Sequence, residues 1–141
     1  FFDTDDCIEN KAGAEISWIF DVEGEQKFRD REFEVLTSLI KKENCVISTG
    51  GGIVLRQENR EIIKKGTGIY LETSIQSQLE RTMNDKHRPL LQRAQNKEET
   101  LRKMAKFRNP LYLECSDIVI KETNNPNETV DLILQEIEQI K

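Results

Sequence analysis

The sequence predicts an α/β fold, a three-layer α/β/α arrangement around a mostly parallel sheet. Three observations predict it. Short apolar runs at Val46-Ile47, Ile69-Tyr70-Leu71 and Ile118-Val119-Ile120 are separated by stretches of helical periodicity, the alternation expected of parallel strands joined by crossover helices. Gly50-Gly51-Gly52 stands at the carboxyl end of the first of these runs, the edge where open α/β sheets bind ligands. The chain closes on an amphipathic stripe of Val130, Ile133, Leu134, Ile137 and Ile140.

Taken in order, Phe1-Phe2-Asp3 reads as the end of a strand that delivers Thr4-Asp5-Asp6 to a helix start, its acidic first turn suited to the helix dipole. That helix stops near Gly13, and Ile16, Trp18, Ile19 and Phe20 form a short apolar helical turn in which Trp18 and Phe20 read as core. Gly24 breaks the pattern before a longer helix expected over 25–43, on which Arg29 and Glu32 share a face. Val46-Ile47 is expected to be a buried strand. After the glycines come Ile53-Val54-Leu55 and a polar helix around 58–65 ended by Gly66. Gly68 to Leu71 reads as a second buried strand, and Ser74 caps a helix with Ile75, Leu79 and Met83 on one side. Residues 84–96 are polar and charged at their start, the composition of a mobile lid, and Asn96 with Glu99 opens a further helix as a capping box. Asp117 to Ile120 is the last strand, Asn124-Asn125-Pro126-Asn127 a turn, and the final helix follows.

With 141 residues and 16.4 kDa the chain is read as one domain, 1–141, with 84–96 a lid region within it. Twenty-one Lys and Arg against 26 Asp and Glu give a net charge of −5, which argues against a nucleic-acid binder and leaves any anionic ligand to local arginines. No run approaches a membrane span, and Cys7, Cys45 and Cys115 have no metal-like spacing, so reduced thiols in a cytoplasmic protein are expected. There is no initiator Met, and the strand end at Phe1 suggests the remainder of a longer chain.

The chemistry-bearing residues are few. Asp3 and Asp5, two positions apart at a strand end, suit a hydrated Mg²⁺ and a hydroxyl needing orientation or a proton acceptor; taken alone, a helix N-cap explains them better. Arg29 and Arg108, each preceded by Phe, would clamp a carboxylate if they met over one pocket, whereas most such arginines are solvated helix residues. Arg88, followed by Pro89, would swing onto a transferring phosphoryl group or remain a solvated lid charge. His87, the sole histidine, is given no catalytic role.

Together these residues resemble the shikimate kinase family, small P-loop phosphotransferases of the nucleoside-monophosphate-kinase type. The resemblance runs over essentially the whole chain. It is carried by Asp3-Thr4-Asp5 with Ile8-Glu9, Gly24-Glu25 with Phe28-Arg29 and Glu32, and Gly50-Gly51-Gly52. It continues through Arg81, Arg88-Pro89-Leu90-Leu91, and Arg108-Asn109-Pro110-Leu111-Tyr112. It implies transfer of the ATP γ-phosphoryl group to the 3-hydroxyl of shikimate, on the route to chorismate and aromatic amino acids. By that resemblance Asp5 orients and deprotonates the hydroxyl, and Asp3 reaches Mg²⁺ through water. Arg29, Arg108, Gly51 and Gly52 hold shikimate, Arg88 comes down with the lid onto the phosphates, and Arg81 and Pro126 lie on the nucleotide side. ATP and Mg²⁺ are the implied cofactors, and a monomer with no nucleic-acid or membrane partner is the family default.

The chain departs from the family in two places. The phosphate loop G-x-x-x-x-G-K-[ST] does not occur in these residues. The resemblance places it, with its strand and helix, ahead of Phe1, so of the family strand order 2-3-1-4-5 the first strand is not expected here, and these residues alone are expected to transfer little phosphoryl group. At Asn124-Asn125-Pro126 the family often has a basic residue and this chain has none. A related hydroxy-acid kinase, such as a gluconate kinase of the same fold, and a non-catalytic shikimate-binding module are the alternative readings.

Overall fold

A computed structural model of the chain describes residues 1–83, 85 and 88–140. Helices dominate it, and the strands are short. β1 (Phe2–Asp3) leads directly into α1 (Thr4–Ala12), with Asp3 as N-cap: one carboxylate oxygen accepts from the Asp5 and Asp6 amides at 2.8 and 3.3 Å. Gly13 ends α1 in the left-handed conformation, φ 67°, and returns its amide to the Glu9 carbonyl. α2 (Ile16–Val22) and α3 (Glu25–Leu39) follow. The second is shorter than the sequence suggests, because the chain turns at Ile40 and passes through Asn44 at φ 52° before β2 (Ile47–Ser48).

The glycine triplet then enters a 3₁₀ turn (Ile53–Leu55) and α4 (Gln57–Ile63). β3 (Ile69–Glu72), α5 (Ile75–Thr82), α6 (Pro89–Gln92) and α7 (Lys97–Glu114) come next, then β4 (Ile118–Lys121) and α8 (Pro126–Ile140). Ser74 Oγ caps its helix as predicted, accepting from the Ser77 amide at 3.2 Å, and Asn96 Oδ1 accepts from the Glu99 amide at 3.1 Å, half of the expected capping box, while the Glu99 carboxylate pairs with Lys103 at 2.7 Å. α7 runs through Pro110, so Arg108 sits inside this helix and not at its end. Pro110 removes one amide donor, and Tyr112, Cys115 and Ser116 carry the turns beyond it through bonds to Gly51, Leu111 and Tyr112 carbonyls.

Both sheets are parallel and two-stranded. β1 pairs with β2, Phe2 opposite Ile47, and β3 with β4, Ile69 opposite Ile118. In the order 2-3-1-4-5 these are the two pairs flanking position 1, and no described residue bridges β2 to β3. The expectation of buried strands fails here. Val46, Ile69 and Leu71 are exposed, and α8 packs on β4 without burying a single residue fully.

Burial is concentrated instead in the first half of the chain. Ile8, Ile16, Ile19, Phe20, Phe28, Val35 and Leu39 pack α1, α2 and α3 together, and Phe20 and Phe28 meet with ring centroids 4.7 Å apart. Leu36, Ile53, Val54, Ile62 and Cys115 form a second cluster under the 3₁₀ turn. Trp18, expected in the core, is 51% exposed. Of the lid region, residues 84, 86 and 87 lie outside the described residues, His87 among them. Its carboxyl half is held down: Leu91 is buried, Leu90 packs on the first cluster and Arg93 pairs with Asp21 of α2.

Candidate active site

The glycine triplet is a floor on which side chains from three helices converge. A Cβ on Gly50 would stand 3.1 Å from Asp5 Oδ1 and 3.4 Å from Glu32 Oε1. One on Gly51 would stand 3.0 Å from Tyr112 Oη and 3.7 Å from Arg108 Nη1, and one on Gly52 would fall 2.3 Å from Arg29 Nη1. A side chain at Gly52 would collide with Arg29, and at Gly50 and Gly51 it would crowd the Asp5 carboxyl and the Tyr112 hydroxyl, whereas Arg108 stands at ordinary contact distance. Arg29 and Arg108, distant in sequence, thus lie against adjacent glycines. Thr4 ties the floor to α1, its Oγ1 accepting from the Gly50 amide at 3.2 Å.

Each charged group is set by its neighbours. Arg29 donates to Glu32 Oε2 at 2.6 Å and to Glu25 Oε1 at 3.1 Å. Arg56 braces the same turn of α3, donating to the Arg29 carbonyl at 3.4 Å and to Asp30 at 2.9 Å. Glu32 is only 1% exposed, and burial pushes its carboxyl up in pKa while Arg29 pulls it back and Asp5 adds to the rise. Asp5 is likewise pushed up, first by burial and then by the negative charge of Asp3, with Arg88 opposing. Its Oδ1 is buried and has no hydrogen-bond partner among the described residues. A half-buried carboxyl of raised pKa with one free oxygen at the ligand edge of a sheet is suited to accepting a proton.

Asp3 is differently placed. One oxygen is committed to the α1 cap, and among the described residues no three His, Cys, Asp or Glu side chains gather around a metal-sized point. This donor set fits a hydrated ion held through water and delivered with a nucleotide, not a resident metal caged by protein ligands. Arg88 is exposed and pairs with Asp85 at 3.0 Å, yet it is near enough to influence both Asp5 and Tyr112. Arg81 stands apart from the floor, at the end of α5, bound to Glu122 at 2.8 Å. Pro126, the first residue of α8, follows that glutamate by one turn of chain, so Arg81 and Pro126 share the carboxyl edge of β4.

The sequence reading named Glu32 and Tyr112 among the residues of the resemblance but gave neither a role. Glu32, which shares a face with Arg29, is the buried anchor of that arginine. Tyr112 lies four residues beyond Arg108 on the same helical face, the one sequence signal that sets it beside that arginine.

A parallel α/β scaffold whose glycine floor gathers two arginines and a carboxyl of raised pKa defines an enzyme for a small anionic substrate. The chain belongs to the shikimate kinase family, whose model matches residues 1–138. It is 47% identical over 139 residues to a shikimate kinase of Histophilus somni, covering 94% of this chain and 79% of that protein. It is 49% identical over 139 residues to one of Haemophilus influenzae, covering 94% and 77%. The fold matches a shikimate kinase from Acinetobacter baumannii in complex with shikimate, with TM-score 0.95 and 44% identity over 100% of this chain and 79% of that one. The shikimate kinase of Aquifex aeolicus follows at TM-score 0.81 and 37% identity, covering 98% and 80%. This decides between the two kinase readings in favour of shikimate kinase over gluconate kinase.

Proposed function

We propose that this chain phosphorylates the 3-hydroxyl of shikimate with the γ-phosphoryl group of ATP. The observation that carries the reading is the convergence of Arg29, Arg108 and Asp5 on three consecutive glycines. Shikimate's carboxylate is received by Arg29 and Arg108 as charge-assisted hydrogen bonds, while the amides of Gly51 and Gly52 approach from the floor. Asp5 orients the 3-hydroxyl and takes its proton as the new P–O bond forms, its raised pKa suiting it to that transfer.

On the nucleotide side, Arg88 neutralises charge on the transferring phosphoryl group, and Arg81 and Pro126 border the adenine. Asp3 would hold a Mg²⁺ ion through water, and the ion would supply positive charge to the phosphates of ATP. No stretch of these residues reads G-x-x-x-x-G-K-[ST], so the groups that cradle the phosphates are not among those described. The chain acts as one kinase domain, monomeric and cytoplasmic, with the Arg88 end of the lid region closing over the phosphates. The test is ADP release on adding shikimate and ATP with Mg²⁺, with gluconate as the control acid. Low turnover with shikimate that disappears in Asp5→Asn is the expected result, in keeping with the missing phosphate-loop pattern, and equal turnover with both acids contradicts the reading.

A further inference from the structure

We infer that Tyr112 is a positioning residue that holds the shikimate floor in its binding orientation. Its Oη donates to the Gly51 carbonyl at 2.7 Å. Carbonyl Gly51 and amide Gly52 belong to one planar trans peptide, so fixing the oxygen fixes the N–H on the opposite side. That amide donates to no group among the described residues, and flanking glycines would otherwise let this peptide rotate with little hindrance.

The Tyr112 hydroxyl also faces Arg108. A Cβ on Gly51 would stand within contact of both Tyr112 Oη and Arg108 Nη1, at 3.0 and 3.7 Å. One hydroxyl therefore registers the floor and one of the two carboxylate-binding guanidinium groups against each other. The ring itself is held from β3, since Tyr70 stacks on it at 4.9 Å with an interplanar angle of 28°. Tyr70 in turn donates to Asn109 Oδ1 at 3.4 Å, closing a brace between β3 and α7. Burial raises the Tyr112 hydroxyl's pKa, so it remains a donor throughout the neutral range.

The inference rests on the assignment of shikimate to Gly51, Gly52, Arg29 and Arg108, and the test separates the two. Tyr112→Phe keeps the stacked ring and removes only the hydroxyl. In the full chain it should weaken shikimate binding about five- to ten-fold. ATP KM and the thermal midpoint should be unchanged and kcat should stay within about two-fold, a split that a purely structural loss would not give. The Gly52 amide resonance should shift or broaden in the same variant. Arg108→Lys is measured beside it. If Arg108→Lys weakens shikimate binding and Tyr112→Phe does not, the positioning role is overturned and the site assignment stands. If neither variant changes shikimate affinity, the site assignment itself fails and the positioning role with it.

Discussion

Asp5 carries opposed demands on stability and chemistry. Its carboxyl is pushed up in pKa by burial and by Asp3, so it binds a proton more tightly in the folded chain than in the unfolded one. The sign follows: the ionised form costs stability above the raised value, and that cost disappears as pH falls through it. Asp5→Asn should therefore raise the thermal midpoint near neutral pH while lowering kcat by about 10²–10⁴-fold, the range for losing a general base. In the parent enzyme the acidic limb of kcat/KM should lie above the ordinary aspartate range, because activity needs the deprotonated carboxylate. Calorimetry and a pH–rate profile check the two halves separately. At the arginines, lysine cannot supply two-point geometry. Arg29→Lys should weaken shikimate binding by roughly 1.5–3 kcal/mol, the scale of a charged hydrogen bond, and titration calorimetry reads this directly.

At the scale of elements, glycines at two places do different work. Gly52 is closed by side-chain atoms of Arg29, whereas a Cβ on Gly68 would fall 2.2 Å from the backbone carbonyl oxygen of Cys115. A side chain can be displaced but a backbone cannot. Gly52→Ala should raise shikimate KM and also lower the thermal midpoint, because displacing Arg29 leaves the buried Glu32 carboxyl unpaired, and Gly68→Ala should cost about 1–3 kcal/mol of stability, the overpacking range, read by chemical denaturation. The lid region divides similarly. Arg88 is exposed and its assigned partner is the phosphoryl group, so Arg88→Ala should reduce kcat more than shikimate affinity. Much of this was legible in the sequence. Asp3, Ser74 and Asn96 mark helix starts by side-chain chemistry and Gly13 a helix end by its left-handed backbone, and those ends form where expected. Pro110 does not end α7, because a helix anchored on both sides absorbs one lost amide. Arg29 and Arg108 were nameable, but only folding puts them on adjacent glycines, since no local pattern links residues so far apart. Tyr112 and Glu32 act through other residues, and spacing sets each beside its arginine without giving its role.

At the scale of the whole molecule, burial is uneven, and this sets what the 141 residues do by themselves. α1, α2 and α3 share a dense apolar cluster, whereas Val46, Ile69, Leu71 and the α8 residues Val130, Leu134 and Ile140 are exposed. The two strand pairs each leave a backbone edge without a partner among the described residues. Parallel strands gain their stability from cover on both faces, and an uncovered apolar edge invites association. A domain's net stability is only about 5–15 kcal/mol, so leaving several large side chains in water, at about 1.5–3 kcal/mol each, removes a large part of it. Expressed alone, these residues should unfold in a broad transition, with an enthalpy well below the ~0.7 kcal/mol per residue of a compact domain. They should bind a hydrophobic dye before heating, from the β3 and α8 side of the molecule. Shikimate should still bind, weakly, because the glycine floor and its arginines lie in and beside the well-packed half. Scanning calorimetry with dye fluorescence, repeated at saturating shikimate, tests this: the expected outcome is a transition that sharpens and moves upward with ligand. A sharp, high-enthalpy transition without dye binding would mean that the exposed strands and α8 find cover from a second copy, which sedimentation would then reveal.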